Sequence, residues 1–353
     1  MRLLLPVVLF AGCVAAVAQE PKKPVVSGDP ARVARIRKAA MPKIDKPISF
    51  DTPAADAILA ALEVFPEDNP WNLVVTDWPL HAKSKDIVAS IGANKPLRYN
   101  PDMGFVLVPP GQKKIDVKLV SYPDESDKGP YPLPDIVPIE GWPVHYTRNP
   151  KLRDTTLDDV QRDKLKEDGD RHAIVVDPTN RVLYEFAQLK KTDAGWQAAC
   201  AAVFDLKSNT LRPDGWTSSD AAGLPIFPSI IRYDELKRGA VEHAMRVTVV
   251  KTRRAYVHPA THFASRLTDE NLPRMGERIR LRKDFDTSKC TPEVKAILEG
   301  LKKYGMLVAD NGIDWALSCA PDARIPVLHD ELRKVKGSDF EVVVAPAGYK
   351  PEK

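Results

Sequence analysis

HAIVVDPTNRVLYEF, His172 to Phe186, is two apolar runs of strand length joined by a turn. Val, Ile, Tyr and Phe fill the runs, and Asp177-Pro178-Thr179-Asn180 between them is turn chemistry, so the stretch predicts a β-hairpin. The same texture spreads outward from it. GFVLVPP and IDVKLVSYP precede it, and WQAACAAVFDL, VEHAMRVTVV, RAYVHPA, RIRLRKDFD and MLVADNG follow. Each reads as a short strand bounded by turn residues. Two segments read instead as helices. Thr52-Pro53 opens one, with Ala55, Ile58, Leu59 and Leu62 on one face; Thr291-Pro292 opens the other, with Val294, Ile297, Leu298 and Leu301 on one face and Gly305 as its stop. The chain carries 32 prolines, more than a helical protein tolerates. Mostly strands, a few helices and no strand–helix–strand alternation predict a mainly β single domain, a β-sandwich or jelly-roll-like body.

The expected organisation is a signal peptide over 1–18, a Pro/Lys-rich tether over 19–45 with room for a short helix at Pro30–Ala40, one β-rich domain over 46–345 and a C-terminal tail over 346–353. Arg2, the apolar run from Leu3 and the small residues Ala16-Val17-Ala18 have the order of a secretory signal, cleaved after Ala18. A lipobox reading of Phe10-Ala11-Gly12-Cys13, with a lipid on Cys13, is the alternative. The chain is therefore expected to be secreted or periplasmic. No later run is apolar and long enough to span a bilayer. The net charge is +4 with acidic and basic residues mixed, which gives no footprint for nucleic acid. Cys200, Cys290 and Cys319 allow a disulfide with one thiol left over. Cys290, ahead of a helix, is placed where a thiolate gains stability, although a structural or inert thiol is the plainer reading.

The loop from Tyr122 to Pro143, YPDESDKGPYPLPDIVPIEGWP, is long for a compact domain. Tyr131 and Trp142 within it favour an ordered loop that covers something. HPATH has the spacing of a zinc-binding pair, but in an extended chain His258 and His262 would stand roughly 13 Å apart, and the Glu of a zincin is missing. No metal or cofactor is expected. There is no GxSxG, and the serines of WTSSDAAG are placed to bond local backbone.

Carboxylates remain. Glycosidic chemistry needs two, one protonated and one ionised. Asp220 and Asp310 are the candidate catalytic pair; Asp310 shares a strand face with Met306 and Val308, an apolar setting that would raise its pKa. The competing reading of Asp310-Asn311-Gly312 is a plain turn. Asp234-Glu235 reads as the solvated first turn of a helix. His172, Glu185, His243, Arg246 and Tyr256 are the candidate substrate-binding residues, a set suited to sugar or uronate through charge-assisted bonds and stacking. A His–Tyr arrangement also serves β-elimination in a lyase.

FPEDNPWN, ESDKGPYPLP, GDRHAIVVD, LRPDGWTSSDAAGLPIFPSIIRYDE and KKYGMLVADNGIDWALS resemble a family of exported, uncharacterised bacterial proteins. The likeness runs from about Phe65 to Phe340. It implies secretion and a single folding unit, and it carries no reaction or catalytic residue. That family often reads Tyr-Val-Trp-Pro where this chain has Tyr256-Val257-His258-Pro259, which implies that His258 is no indispensable catalyst. Two functions fit: a carbohydrate-active enzyme, hydrolase or lyase, on extracellular or cell-wall polysaccharide, or a non-catalytic glycan-binding or structural protein of the cell envelope.

Overall fold

The computed structural model describes residues 27–143, 154–166 and 169–349. The expected signal peptide, Cys13, the first part of the tether and residues 350–353 lie outside the described residues. In chain order the elements are α1 (Pro30–Lys38), β1 (Ile48–Ser49), α2 (Pro53–Ala61), α3 (Ser84–Ile91), β2 (Arg98–Pro101), β3 (Phe105–Leu107), β4 (Val117–Leu119) and α4 (Leu157–Gln161). Then come β5 (Ala173–Asp177), β6 (Val182–Ala187), β7 (Lys190–Thr192), β8 (Gly195–Ala198), β9 (Cys200–Asp205), α5 (Tyr233–Arg238) and β10 (Met245–Val249). The chain closes with β11 (Arg278–Leu281), α6 (Pro292–Lys303), β12 (Met306–Asn311), β13 (Ala316–Cys319), α7 (His329–Leu332) and β14 (Phe340–Val343).

The hairpin that opened the reading forms as expected. β5 and β6 pair antiparallel from Ala173↔Phe186 to Asp177↔Val182, and Asp177 Oδ1 accepts the Asn180 N–H at 2.9 Å to close the turn. This hairpin is the centre of a five-stranded sheet, β1-β3-β5-β6-β9. Both faces of that sheet are buried. Ile174, Val176, Leu183 and Ala202 face the main core, while Ala173, Val175, Phe186 and Ala201 face a second, smaller core. The Pro-rich loop lies over that second core: Tyr131, Leu133, Val137 and Ile139 are buried in it, together with the small sheet β4-β8-β7.

The other large sheet has the order β14-β11-β12-β10-β13-β2. It brings a correction. β10 and β12 are parallel neighbours with α6 between them in the chain, and β13–β2, β3–β5 and β4–β8 are also parallel. Parallel neighbours need crossover connections rather than tight hairpins. The expected mainly β single domain is thus a sheet-rich body of three mixed sheets, with parallel ladders that the sequence pattern did not foretell, and no sandwich or jelly-roll assignment follows from these strand orders. The expected strand at RAYVHPA makes only an isolated bridge, Tyr256↔Met275. WQAACAAVFDL splits at Ala199 into β8 and β9, which join different sheets.

Both expected helices form. Thr52 caps α2 by accepting from Ala55 N. Thr291 makes no side-chain cap for α6; its N–H donates instead to Glu331 at 3.0 Å. Val294, Ile297, Leu298 and Leu301 join the main core with Met245 and Val247, each contributing about 1.5–3 kcal/mol relative to exposure. Within the expected tether the helix expected over 30–40 forms as α1, and the Ser27 carbonyl accepts from Val74 N at 3.0 Å. Asp29 caps α1 and takes hydrogen bonds from Lys303 and Tyr304, and Val33 and Ile36 are buried. Among the described residues no helix is long and apolar enough to cross a membrane.

Candidate functional site

An irregularity in β12 positions Asp310. Along the parallel β10–β12 ladder Arg246 lies beside Leu307 and Val247 beside Val308, but Thr248 lies beside Asp310. Ala309 is one residue too many, a β-bulge. Its carbonyl accepts the Ala222 N–H at 3.0 Å, which fastens the 217–223 loop to the strand. A bulge re-aims the side chains that follow it. Asp310, expected on the face of Met306 and Val308, lies instead on the face of Arg246 and Thr248.

Arg246 is the hub of the polar network that results. Its Nε and Nη2 donate to the two oxygens of Asp220 at 2.8 and 2.9 Å, its Nη1 donates to Ser318 Oγ at 2.8 Å, and Nη2 reaches Asp310 Oδ2 at 3.5 Å. Burial works against the guanidinium charge, but Asp220 and then Asp310 outweigh it and raise the Arg246 pKa. Because Asp220 and Asp310 each reach Nη2, those two carboxylate oxygens are no farther apart than the sum of the two contacts.

His172 forms the second ion pair. Its Nδ1 lies 2.9 Å from Glu140 Oε2 and its Nε2 lies 2.7 Å from the Ser219 carbonyl. Both partners can only accept, so both ring nitrogens carry hydrogen and the ring is an imidazolium. Burial opposes that charge, yet Glu140 raises the His172 pKa to about 9. Glu140 in turn is held below its ordinary range, because His172 and Arg246 overcome its burial.

Two cations thus pair with two acids, Arg246 with Asp220 and His172 with Glu140. Two further carboxyls stand beside them; among the described residues Asp310 shares Arg246 at 3.5 Å and Asp102 has no ion pair. Asp310 is pushed up to about 7, first by burial and then by the Asp220 charge. Asp102 is also pushed up to about 7, by burial and then by Glu140, and its buried Oδ1 has no hydrogen-bond partner among the described residues. A carboxyl near 7 is poised to give or take a proton at neutral pH.

A cleft of about 510 Å³ opens over this network. Asp310, His172 and Ser219 form part of its floor, and Tyr122, Asp170 and His262 also line it. The Tyr122 ring is half exposed. The 217–223 loop and the 260–264 segment zip together: Thr261 N and His262 N both donate to the Ala222 carbonyl. His262 Nδ1 lies 2.8 Å from the Ala221 carbonyl. A carbonyl only accepts, so Nδ1 carries the hydrogen, and in the neutral ring Nε2 holds the lone pair.

The structure brings together Asp220, Asp310, His172 and Arg246 from the sequence candidates, in altered roles. Asp220 is fully buried with both oxygens on Arg246 and does not line the cleft. Glu185 is also fully buried and does not line it. Its carboxyl accepts from Ile226 N, Phe227 N and Ser219 Oγ, and burial pushes it up to about 7. Its place is to anchor the loop. His243 and Tyr256 lie outside the network. His243 Nε2 is 3.0 Å from Glu235 Oε1, which also pairs with Arg232 at 2.7 Å. Asp234 and Glu235 are therefore buried ion-pair members, not a solvated helix turn. Tyr256 donates to Asp214 at 2.6 Å and stacks on Phe263.

Sequence reasoning missed Asp102, Glu140, Ser318 and His262 as members of the site. Glu140 sits in the Pro-rich loop, whose sequence signal is its aromatic residues Tyr131 and Trp142 rather than its acids. His262, in HPATH, offers in sequence only the spacing of a metal-binding pair. Asp102, in NPDMG, carries no signal beyond a turn. Among the described residues Cys200, Cys290 and Cys319 are free thiols, and burial raises the pKa of each, so none of the three is an activated thiolate. Comparison with protein-family models, curated proteins and solved structures gave no match.

Proposed function

We propose that this chain is an exported carbohydrate-active enzyme, a hydrolase or lyase acting on extracellular or cell-wall polysaccharide. One observation carries the reading: Asp310 lines an open polar cleft with its carboxyl pushed up to about 7. That is the state a general acid needs at neutral pH. The Asp220–Arg246 pair is a positioning device beneath it, and the Asp220 charge holds the Asp310 proton in place. His262 Nε2 is suited to take a proton, as elimination next to a uronate requires. Asp170 is the second carboxylate on the cleft wall, suited to activate water for hydrolysis. The half-exposed Tyr122 ring offers a sugar face a stacking surface. Export rests on the N-terminal residues and on the likeness to exported bacterial proteins.

A second reading, a non-catalytic glycan-binding protein of the envelope, is favoured by the burial of Asp220. The second carboxyl of the original pair has no free oxygen for chemistry. A glycan panel separates the two. Wild type, Asp310→Asn, Asp170→Asn and His262→Gln are assayed for reducing ends, for unsaturated uronate absorbance and for binding. Product formed by wild type and lost in Asp310→Asn supports the enzyme. Equal turnover in Asp310→Asn discards the assignment, and saturable binding without product from any glycan moves the conclusion to the second reading.

A further inference from the structure

A second cavity, of about 210 Å³, shares no lining residue with the cleft. Its walls include Leu73, Trp78, His258, Arg278, Val343 and Tyr349. Arg278 is only 5% exposed, yet among the described residues no carboxylate pairs with it. Its Nη1 and Nη2 donate to the carbonyls of Tyr304 and Pro70 at 2.7 and 2.6 Å, and its guanidinium lies 5.8 Å from the Trp78 ring centroid. A buried charge without a counter-charge is expensive, and proteins seldom leave one so.

The neighbouring arginine shows what is missing. Arg280, two residues along β11 and on the same face, also clamps backbone carbonyls, those of Val75 and Thr76. It has a counter-charge as well: Glu341, its cross-strand partner on β14, accepts from Arg280 Nε at 2.8 Å. The cross-strand partner of Arg278 is Val343. Where Arg280 meets a carboxylate, Arg278 meets an aliphatic side chain and a cavity. A second donor there also lacks an acceptor, since Trp78 Nε1 is buried with no hydrogen-bond partner among the described residues.

We propose that this cavity binds a small organic acid, with its carboxylate between Arg278 and Trp78 Nε1 and its apolar body against Leu73, Val343 and Tyr349. The charge balance fits one negative charge. Arg274, on the rim, is already paired in two-pronged fashion with Glu277, at 2.9 Å on both bonds. Burial and then Arg278 push His258 down to about 4, so that ring is neutral and adds no second cation. Burial also lowers Arg278 to about 10, the response of a guanidinium without an anion. The volume suits a benzoate-sized body and excludes a saccharide chain, so this ligand is separate from the substrate proposed for the cleft.

The test uses benzoate and its neutral isostere benzamide, titrated calorimetrically into the full chain. Benzoate binding at least about tenfold tighter than benzamide is expected, from charge-assisted bonds. Equal affinity for the two, or no benzoate binding, overturns the proposal. Val343→Glu supplies the missing carboxylate from within the chain, as Glu341 does for Arg280. The expected variant melts at or above the wild-type temperature and binds benzoate at least about tenfold more weakly. A folded Val343→Glu protein with wild-type affinity sinks the idea. Trp78→Phe keeps the ring and removes the donor, which gives a readout should Val343→Glu fail to fold. Severalfold weaker benzoate binding is expected there, and unchanged affinity rejects the site.

Discussion

The Asp220 carboxylate and the Arg246 guanidinium meet through two parallel hydrogen bonds, 2.8 and 2.9 Å long, and neither side chain is more than 5% exposed. Removing one partner of such a pair strands the other as a buried charge. Asp220→Ala is therefore expected to lose about 3–5 kcal/mol of stability in urea unfolding. The double replacement Asp220→Leu with Arg246→Met removes both charges and is expected to lose markedly less. A double variant as unstable as the single one contradicts the stranded-charge account.

The His172–Glu140 pair makes stability depend on pH. The folded His172 pKa is about 9, above the ordinary histidine value of 6.5. A raised base stabilises fully below its unfolded pKa and loses that stabilisation as pH rises through the folded one. Melting temperature should therefore fall between about pH 6.5 and 9, through a contribution on the order of 3 kcal/mol. His172→Gln should flatten the profile in that window. A wild-type curve that is level or rising from pH 7 to 9 refutes the locked imidazolium.

Asp310 gives the opposite experiment. Its pKa rises on folding from 3.8 to about 7. For an acid this means the folded state binds the proton more tightly, so the carboxyl penalises folding increasingly as pH climbs from about 4 to 7. Asp310→Asn removes the penalty. It is expected to stabilise the protein at pH 8 by about 2–3 kcal/mol more than at pH 5. Denaturant midpoints at the two pH values check this, and an equal effect at both places the proton elsewhere.

Much of this body could be read from local pattern. The β5–β6 hairpin, the two Thr-Pro helices and the cover formed by the Pro-rich loop all follow from periodicity and turn residues that neighbours in sequence carry together. The parallel ladder of β10 and β12 does not, because its partners meet across an excursion that includes β11 and α6, and nothing local encodes that pairing. The site was half legible for the same reason. Asp220, Arg246, His172 and Asp310 stood out as polar residues in apolar surroundings. Strict alternation put Asp310 on the wrong face, since a bulge at Ala309 is set by its contact with Ala222 in a distant loop. Asp102 and Glu140 belong to the network only through three-dimensional proximity, which spacing in the chain does not record.

Gly223 tests how the cleft wall is held. Its φ is +73°, a region that L side chains rarely adopt, and an added Cβ would stand 2.1 Å from Thr261 Oγ1 and 2.7 Å from the Trp216 carbonyl. Thr261 Oγ1 itself donates to that carbonyl at 2.9 Å, so it cannot swing aside without breaking the bond that joins the two segments. The left-handed backbone alone costs about 1–2 kcal/mol for a residue with a Cβ. Gly223→Ala is expected to lose about 2 kcal/mol or more in chemical denaturation once the clash is added. Adding Thr261→Ala takes away the nearer obstacle but leaves the Trp216 carbonyl and the backbone penalty, so only part of the loss should return. If the double variant recovers full stability, backbone conformation contributes nothing at this position. If it recovers none, the contact with Thr261 is not what makes glycine necessary.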